Sequence, residues 1–491
     1  MRGRRLTVIG LVVGAGVLAA SAALDAQVSN FVPHPQRHAF FGDLHLHTGM
    51  SFDAAVASGV QLGPEAAYRF AMGEEVEVLG RKYKRKARLD FLAVTDHAEY
   101  LGMVNLARDP EGPLGDTHWP ADLATPPDGG FGGAGGQILG SGFSGRTGPF
   151  PELRRYDLRR SVWNRVIDAA ENYYRPGQFT TFVGFEWSHT PGNAHFHRVT
   201  VFPGPTYPDL PFSALDSRDV RDLWRYAESN RANGVDSLMI PHNSNLSDGL
   251  AFSYQDSAAR WMDREYAEMS ARNEPLAEIT QTKGTSETHP ELSPTDEFAD
   301  FELMNHYFYN DPTRLYRPIG GSYVREALQR GLILQQKLGV NPFRYGFVGA
   351  SDYHLAVSGT EEFNRTMALG ADDISKPEAL LHPDMSGGGG VLNGPTVKIS
   401  ASGITGVWAE RNTREAIFAA MKRREVFATS GPRMQVRMFG GWNFARGVTG
   451  RDNWADLAYR WGVPMGGNLP SDRQGRAAPT FLFDALKDPD S

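Results

Sequence analysis

Six or seven times along this chain a short apolar run of strand length ends abruptly in histidine or a carboxylate, and that rhythm limits the folds open to it. The runs include Phe40-Phe41-Gly42-Asp43-Leu44-His45-Leu46-His47-Thr48, then Leu89 to Thr95 ending in Asp96-His97-Ala98-Glu99. Phe179 to Phe185 ends in Glu186-Trp187, and Ala194-His195-Phe196-His197 leads into the strand-like Arg198-Val199-Thr200-Val201-Phe202. Ser237-Leu238-Met239-Ile240 meets Pro241-His242-Asn243, Leu276-Ala277-Glu278-Ile279-Thr280 runs into a polar loop, and Tyr345 to Ala350 ends in Ser351-Asp352-Tyr353-His354. A further short run is Phe301 to Asn305. Between them the apolar spacing predicts helices over about 63–71, 157–174, 217–230 and 323–338, the first with Pro64 at a favoured starting position. Strand, polar tip and helix in repetition is the pattern of parallel βα units that gather chemistry at the strands' C-terminal ends, as in a (β/α) barrel. An open doubly wound sheet spreads such tips along a crevice.

His45 and His47 alternate along one strand, so both point to one face, and two imidazoles aimed at one place make half of a metal site. Taken singly, each tip residue has a plain explanation, a capped strand end or a buried structural histidine. Taken together they do not, because six of the fourteen histidines end or adjoin apolar strands with carboxylates beside them. A multinuclear metal site follows as the expectation. The chain has no cysteine, so any metal is held by His and carboxylate, which suits Mn, Fe or Zn, and there are no disulfides.

A formal charge of −7 argues against a nucleic-acid binder, which normally presents a basic face. The basic segment 80–86 reads as a solvated hairpin. With 54 glycines and 31 prolines, long loops are expected. Residues 109–150 read as one of them, a mobile, glycine-rich insertion without phosphate-loop spacing that would serve as a lid. Arg2, Arg4 and Arg5 ahead of an apolar run from Leu6 to Ala20, then small residues, read as an export signal over 1–26, the run being short for a bilayer span; a retained N-terminal anchor is the alternative. The expected location is periplasmic or secreted. The length suits one large domain, 38–400, closing with the strand-like Thr396 to Ser400. An α/β to β-rich appendage follows over 401–491, stopping as though a further strand were missing.

These motifs resemble the polymerase-and-histidinol-phosphatase (PHP) superfamily of metal-dependent hydrolases, and within it the DUF3604 family. The resemblance rests on Gly42 to Thr48, Ser51-Phe52-Asp53-Ala54, Thr95 to Gly102, Gly184 to Trp187, His197-Arg198, Pro241-His242-Asn243 and Gly349 to His354, and it covers about 38–445. It implies a distorted (β/α)7 barrel with two or three divalent ions (Mn, Zn or Fe) in its mouth. His45, His47, Glu186 and Asp352 would hold one ion, with Glu186 bridging to a second that is held also by His197 and His242. Asp53, His97 and His354 would hold a third. His195 competes with His197, which is preferred because the family pattern is histidine, arginine, strand. Asp96 would orient a ligand histidine or shuttle a proton, Lys283 would anchor an anionic substrate, and Arg198 and Asn243 would contact it. The implied function is an exported phosphoesterase using a metal-bound hydroxide at a di- or trinuclear site. Alternatives are hydrolysis of a sulfate ester, lactone or amide on the same scaffold, or metal binding without turnover. The expected partner is a small anionic ester, with no nucleic acid, and no membrane once the signal is removed.

Overall fold

The computed structural model describes residues 36–124, 133–148, 150–256, 258–304, 319–359, 402–471, 475 and 478–489. The expected export signal at 1–26 and the strand at Thr396 to Ser400 lie outside them. Among the described residues no helix is long and apolar enough to cross a membrane.

In chain order the strands are β1 His38–Asp43, β2 Val76–Val78, β3 Arg81–Tyr83, β4 Phe91–Val94, β5 Thr180–His189, β6 Phe196–Phe202, β7 Leu238–His242 and β8 Leu276–Gln281. There follow β9 Gly284–Thr285, β10 Gly346–Gly349, β11 Ile404–Ala409, β12 Val426–Thr429, β13 Gln435–Gly441, β14 Gly462–Pro464 and β15 Thr480–Leu486. Seven of them form a mixed sheet in the order β12-β11-β1-β4-β5-β6-β7, which curls as a half-barrel. A second sheet, β10-β8-β9, sits across its opening, with β8 beside β7 and β10 beside β12.

Strand alternation divides the core between the two sides of the curl. Phe91, Ala93, Phe182, Val199, Ile240, Leu276 and Val348 fill the inside, whereas Leu92, Val94, Val183 and Phe185 pack outward against Trp163 and Val166 of the helix Tyr156–Tyr173. At Gly42 a β-carbon would lie 2.3 Å from the Phe91 ring, so only glycine lets β1 approach β4 here. The helices begin as their sequences direct. Pro64 opens Pro64–Ala71, while the side chains of Asp219, Asp263 and Thr413 each cap a helix by accepting from a backbone N–H in its first turn.

The expected all-parallel rhythm is corrected. Only β1–β4 and β4–β5 pair in parallel within the large sheet; β5–β6, β6–β7, β1–β11 and β11–β12 are antiparallel. The segment 190–195 that joins β5 to β6 is a tight turn, and a connection that short permits only an antiparallel pair. β11 and β12, read from sequence as part of the appendage, belong to the main sheet. A separate small sheet, β14-β13-β15, closes over Phe439, Val448, Leu457 and Leu482. The run beginning at Phe301 is turn where it is described, with Phe301 exposed, and Asn305 lies outside the described residues. Residues 109–150, expected as loop, contain the helices Trp119–Ala124 and Gly133–Ser144, which bury Trp119, Ile138 and Leu139 against Phe52. Glycine-rich composition concealed an apolar face there. The hairpin β2–β3 forms as expected.

Candidate metal centre

The strand tips converge because backbone pairing continues past the strand ends. Leu46 bridges Tyr353, His97 bridges Glu186, and the Asp352 N–H donates to the His45 carbonyl at 2.8 Å. Asp43 fastens the same tips by accepting from the backbone N–H groups of His45 (3.1 Å) and Ser351 (3.2 Å). On β6 and β7, His197 stands directly opposite His242, while Ser188 on β5 faces His197 from the other side. Two tip residues, Asn243 and Asp352, take left-handed backbone conformations with φ of 50° and 53°. Asn and Asp tolerate that region better than most residues, and such strain gathers at functional sites.

Four donor atoms form a cage. His45 Nε2 lies 3.1 Å from His47 Nε2 and 3.1 Å from Glu186 Oε2, and His47 Nε2 is 3.1 Å from the same oxygen. Asp352 Oδ1 is 3.4 Å from His45 Nε2 and 3.2 Å from His47 Nε2. Separations of 3.1–3.4 Å are what two donors present to each other when both bind one ion at about 2.0–2.1 Å. The other oxygen of Glu186, Oε1, faces a second group: His197 Nδ1 at 2.8 Å and His242 Nε2 at 3.2 Å. A third group gathers on Asp53 Oδ2, with His354 Nε2 at 2.9 Å and His97 Nε2 at 3.3 Å. All nine side chains are buried. The donor set is His and carboxylate in mutual contact, so it fits divalent ions of the Mn, Fe or Zn kind.

Protonation favours the same use in Glu186, Asp352, His242 and His354, but not in His97, which burial would lower and which the Glu186 and Asp53 carboxylates raise to about 9. Burial opposes charge on Glu186 and Asp352, but the His97 and His242 imidazoles hold Glu186 well below the usual carboxylate range, and His45 and Lys283 do so for Asp352. Burial lowers His242 to about 4, helped by His45; it lowers His354 to about 4 as well, against the pull of Asp53. Near neutral pH these carboxylates are ionised and these imidazoles neutral, the forms that bind cations. Burial would lower His45 too, but the Asp352 and Glu278 carboxylates raise it well above its ordinary value.

Each histidine is also gripped at its far nitrogen. His47 Nδ1 is 2.8 Å from Ser51 Oγ, and the Ser51 hydroxyl donates to Asp96 Oδ1 at 2.8 Å. Asp96 accepts also from the Thr48 backbone N–H and hydroxyl, so it acts on His47 through Ser51. His97 Nδ1 meets the Ser188 hydroxyl, which donates to Glu186 Oε1 at 2.9 Å. His197 Nε2 is 2.9 Å from Thr190 Oγ1, and His45 Nδ1 is 2.9 Å from Glu278 Oε2. Such outer partners fix which ring nitrogen is free to bind.

Asn243 and Lys283 both reach the cluster by way of Asp352. Lys283 Nζ pairs with Asp352 Oδ2, and the side-chain amides of Asn243 and Gln281 donate to that oxygen at 3.3 Å and 2.5 Å, leaving Oδ1 for the cage. His195 does not join any of the three groups: it stacks on the His197 ring at 4.8 Å while His197 meets Glu186. Arg198 is not brought to the cluster. Next to His197 on β6 it points to the other face, where its Nε donates to Glu274 Oε1 at 3.0 Å and its guanidinium lies 3.8 Å from the Phe196 ring centre. Sequence reasoning passed over Ser51, Ser188, Thr190, Gln281 and Glu278. Glu278 alone carried a signal, an acid in the middle of an apolar strand.

The helix Gly133–Ser144 covers the cluster. Phe143 stands edge-on to His97 at 5.7 Å and parallel to His197 at 6.4 Å, and its carbonyl accepts from the Thr190 N–H at 2.9 Å.

A family model described as "Protein of unknown function (DUF3604)" matches residues 34–491. Among solved structures, a two-domain protein from Bacteroides vulgatus ATCC 8482 containing a predicted PHP-like metal-dependent phosphoesterase is similar over 85% of this chain and 83% of its own, at 11% identity and a TM-score of 0.34. No curated protein matches.

Proposed function

The chain belongs to the DUF3604 family, and on that premise we propose that it is an exported metal-dependent hydrolase, a phosphoesterase, on a PHP-type barrel. The observation that carries the reading is the four-donor cage of His45, His47, Glu186 and Asp352, with the second oxygen of Glu186 turned to His197 and His242. In this reading the cage holds one ion, Glu186, His197 and His242 hold a second, and Asp53, His97 and His354 a third. Bound there, divalent ions acidify water and polarise a substrate oxygen.

The rest is the work of the chain's own side chains. Asp96 through Ser51 keeps Nε2 of His47 turned inward, and Lys283, Asn243 and Gln281 do the same for Asp352 Oδ1. We assign these residues positioning roles. Asp53, Glu186 and Asp352, with Glu278 and Asp96 behind the histidines, bring five negative charges to the cup. Three divalent ions and the Lys283 ammonium exceed that, so the fully loaded site is net positive and favours an anionic ester. Phe143 and its helix keep bulk water from one side. The arginines and apolar run at the start of the chain support export.

The test is the purified chain loaded with Mn or Zn and offered chromogenic phosphate monoesters and diesters, sulfate esters and carboxylate esters. Turnover of a phosphate ester, abolished by a chelator and restored by metal, is expected. Turnover confined to sulfate or carboxylate esters would overturn the phosphoesterase assignment, and tight metal binding with no turnover at all would favour a binding protein.

A further inference from the structure

Glu278 lies in the middle of β8, between Ala277 and Ile279, which pack into the outward core. It is 3% exposed. One carboxylate oxygen, Oε2, is 2.9 Å from His45 Nδ1; the other, Oε1, is buried with no hydrogen-bond partner. A carboxylate so placed is costly, because burial removes its water and only one of its oxygens is compensated. A glutamine or a leucine would fill the same strand position at lower cost. The charge therefore needs a reason, and His45 is the hydrogen-bond partner that supplies it.

The other histidines of the cluster show what is unusual. At the nitrogen turned away from the cage or the carboxylates, His47 meets a serine hydroxyl, His197 a threonine hydroxyl, and His354 the Asp352 carbonyl at 3.0 Å. Those are neutral partners, and His97 likewise meets the Ser188 hydroxyl first. Among the described residues, His45 is the cluster histidine whose far nitrogen is hydrogen-bonded directly to a carboxylate. Its Nε2, like that of His47, touches the three other donors of the cage.

We propose that Glu278 is a positioning residue for the metal centre: by accepting the Nδ1–H of His45 it fixes the tautomer whose Nε2 is free, and its charge strengthens that nitrogen as a donor to the caged ion. The inference rests on the metal-site reading given above and deepens it. Glu278 touches neither substrate nor ion. Its hydrogen bond is to His45, so it governs how firmly the caged ion is kept and leaves the number of ligands unchanged.

The experiment compares the full chain with Glu278→Gln and Glu278→Asp. Mn and Zn affinities are read by competition with a chromogenic chelator, and the metal-free proteins are unfolded thermally in parallel. The glutamine variant is expected to hold one of its ions, the caged one, about 10- to 100-fold less tightly, while its metal-free unfolding temperature stays at or above that of the wild type. The aspartate variant, which keeps the charge on a shorter arm, is expected to fall between the two in affinity. Wild-type affinity in Glu278→Gln would overturn the inference, as would an aspartate variant no better than the glutamine one. So would a metal-free glutamine variant that unfolds well below the wild type, because the carboxylate would then be holding the fold. If the wild type takes up no ion, the metal-site reading falls and takes this one with it, an outcome distinct from the others.

Discussion

Replacing Arg198 with methionine tests whether that residue serves the fold or the substrate. Its side chain and that of Glu274 are 3% and 1% exposed, with Nε donating to Oε1 at 3.0 Å. The same oxygen accepts from the Trp224 indole at 3.0 Å. Removing the guanidinium leaves a buried carboxylate held by one neutral donor, a loss of about 3–5 kcal/mol for a pair so enclosed. The cation against the Phe196 ring adds about 1 kcal/mol. Urea unfolding should therefore show Arg198→Met destabilised by about 4–6 kcal/mol in the two terms together. The double variant Arg198→Met/Glu274→Gln should be less damaged than the single one, since no charge is then stranded. In the folded fraction, metal content and KM should match the wild type. An Arg198→Met protein of wild-type stability with a raised KM would refute the reasoning and return Arg198 to the substrate.

Glu186→Gln should strip at least one ion per chain while circular dichroism stays native; elemental analysis after dialysis that finds wild-type metal would contradict the shared-carboxylate cage. His189 is lowered to about 4 by burial, with Arg218 and Arg198 adding to the effect, against an ordinary value of 6.5. The unfolded chain therefore binds the extra proton first, and stability should fall as pH drops from about 6.5 to about 4. His189→Gln should flatten that part of the urea-midpoint profile, and an unchanged slope would count against the shift. Gly142→Ala places a β-carbon 2.7 Å from the buried Phe52 ring, and such overpacking should cost about 1–3 kcal/mol by denaturant titration. A variant as stable as the wild type would show that the helix over the cluster is loosely seated.

The sequence disclosed the clustered side chains better than the sheet that carries them. His45, His47, His97, Glu186, His197, His242, Asp352 and His354 were legible because histidine and carboxylate at the ends of apolar strands are a chemical anomaly visible without coordinates, whereas Asp53 belongs to the first turn of the helix Phe52–Ser58. Strand direction was not legible, since an apolar run reads alike either way. The turn at 190–195, which forces β5 and β6 antiparallel, was recognised as a turn but not weighed as topology. Arg198 was misjudged for a related reason: it neighbours a cluster histidine in sequence, yet alternation along β6 sends it to the opposite face. The outer partners Ser51, Ser188 and Thr190 are common residues in ordinary contexts, and only their placement beside imidazole nitrogens marks them. The helix carrying Phe143 was hidden by glycine, which signals turns until an apolar stripe beside it is counted.

The first strand of the cluster, β1, is flanked by β4 and by β11, whose residues arrive more than three hundred positions later. A ribosome that stalls or a protease that clips ahead of residue 352 removes a corner of the cage, and a break ahead of 404 strips β1 of its late-arriving neighbour. On the metal-site reading proposed above, cation uptake is thus a report on completed synthesis, because an unfinished copy lacks part of the cage.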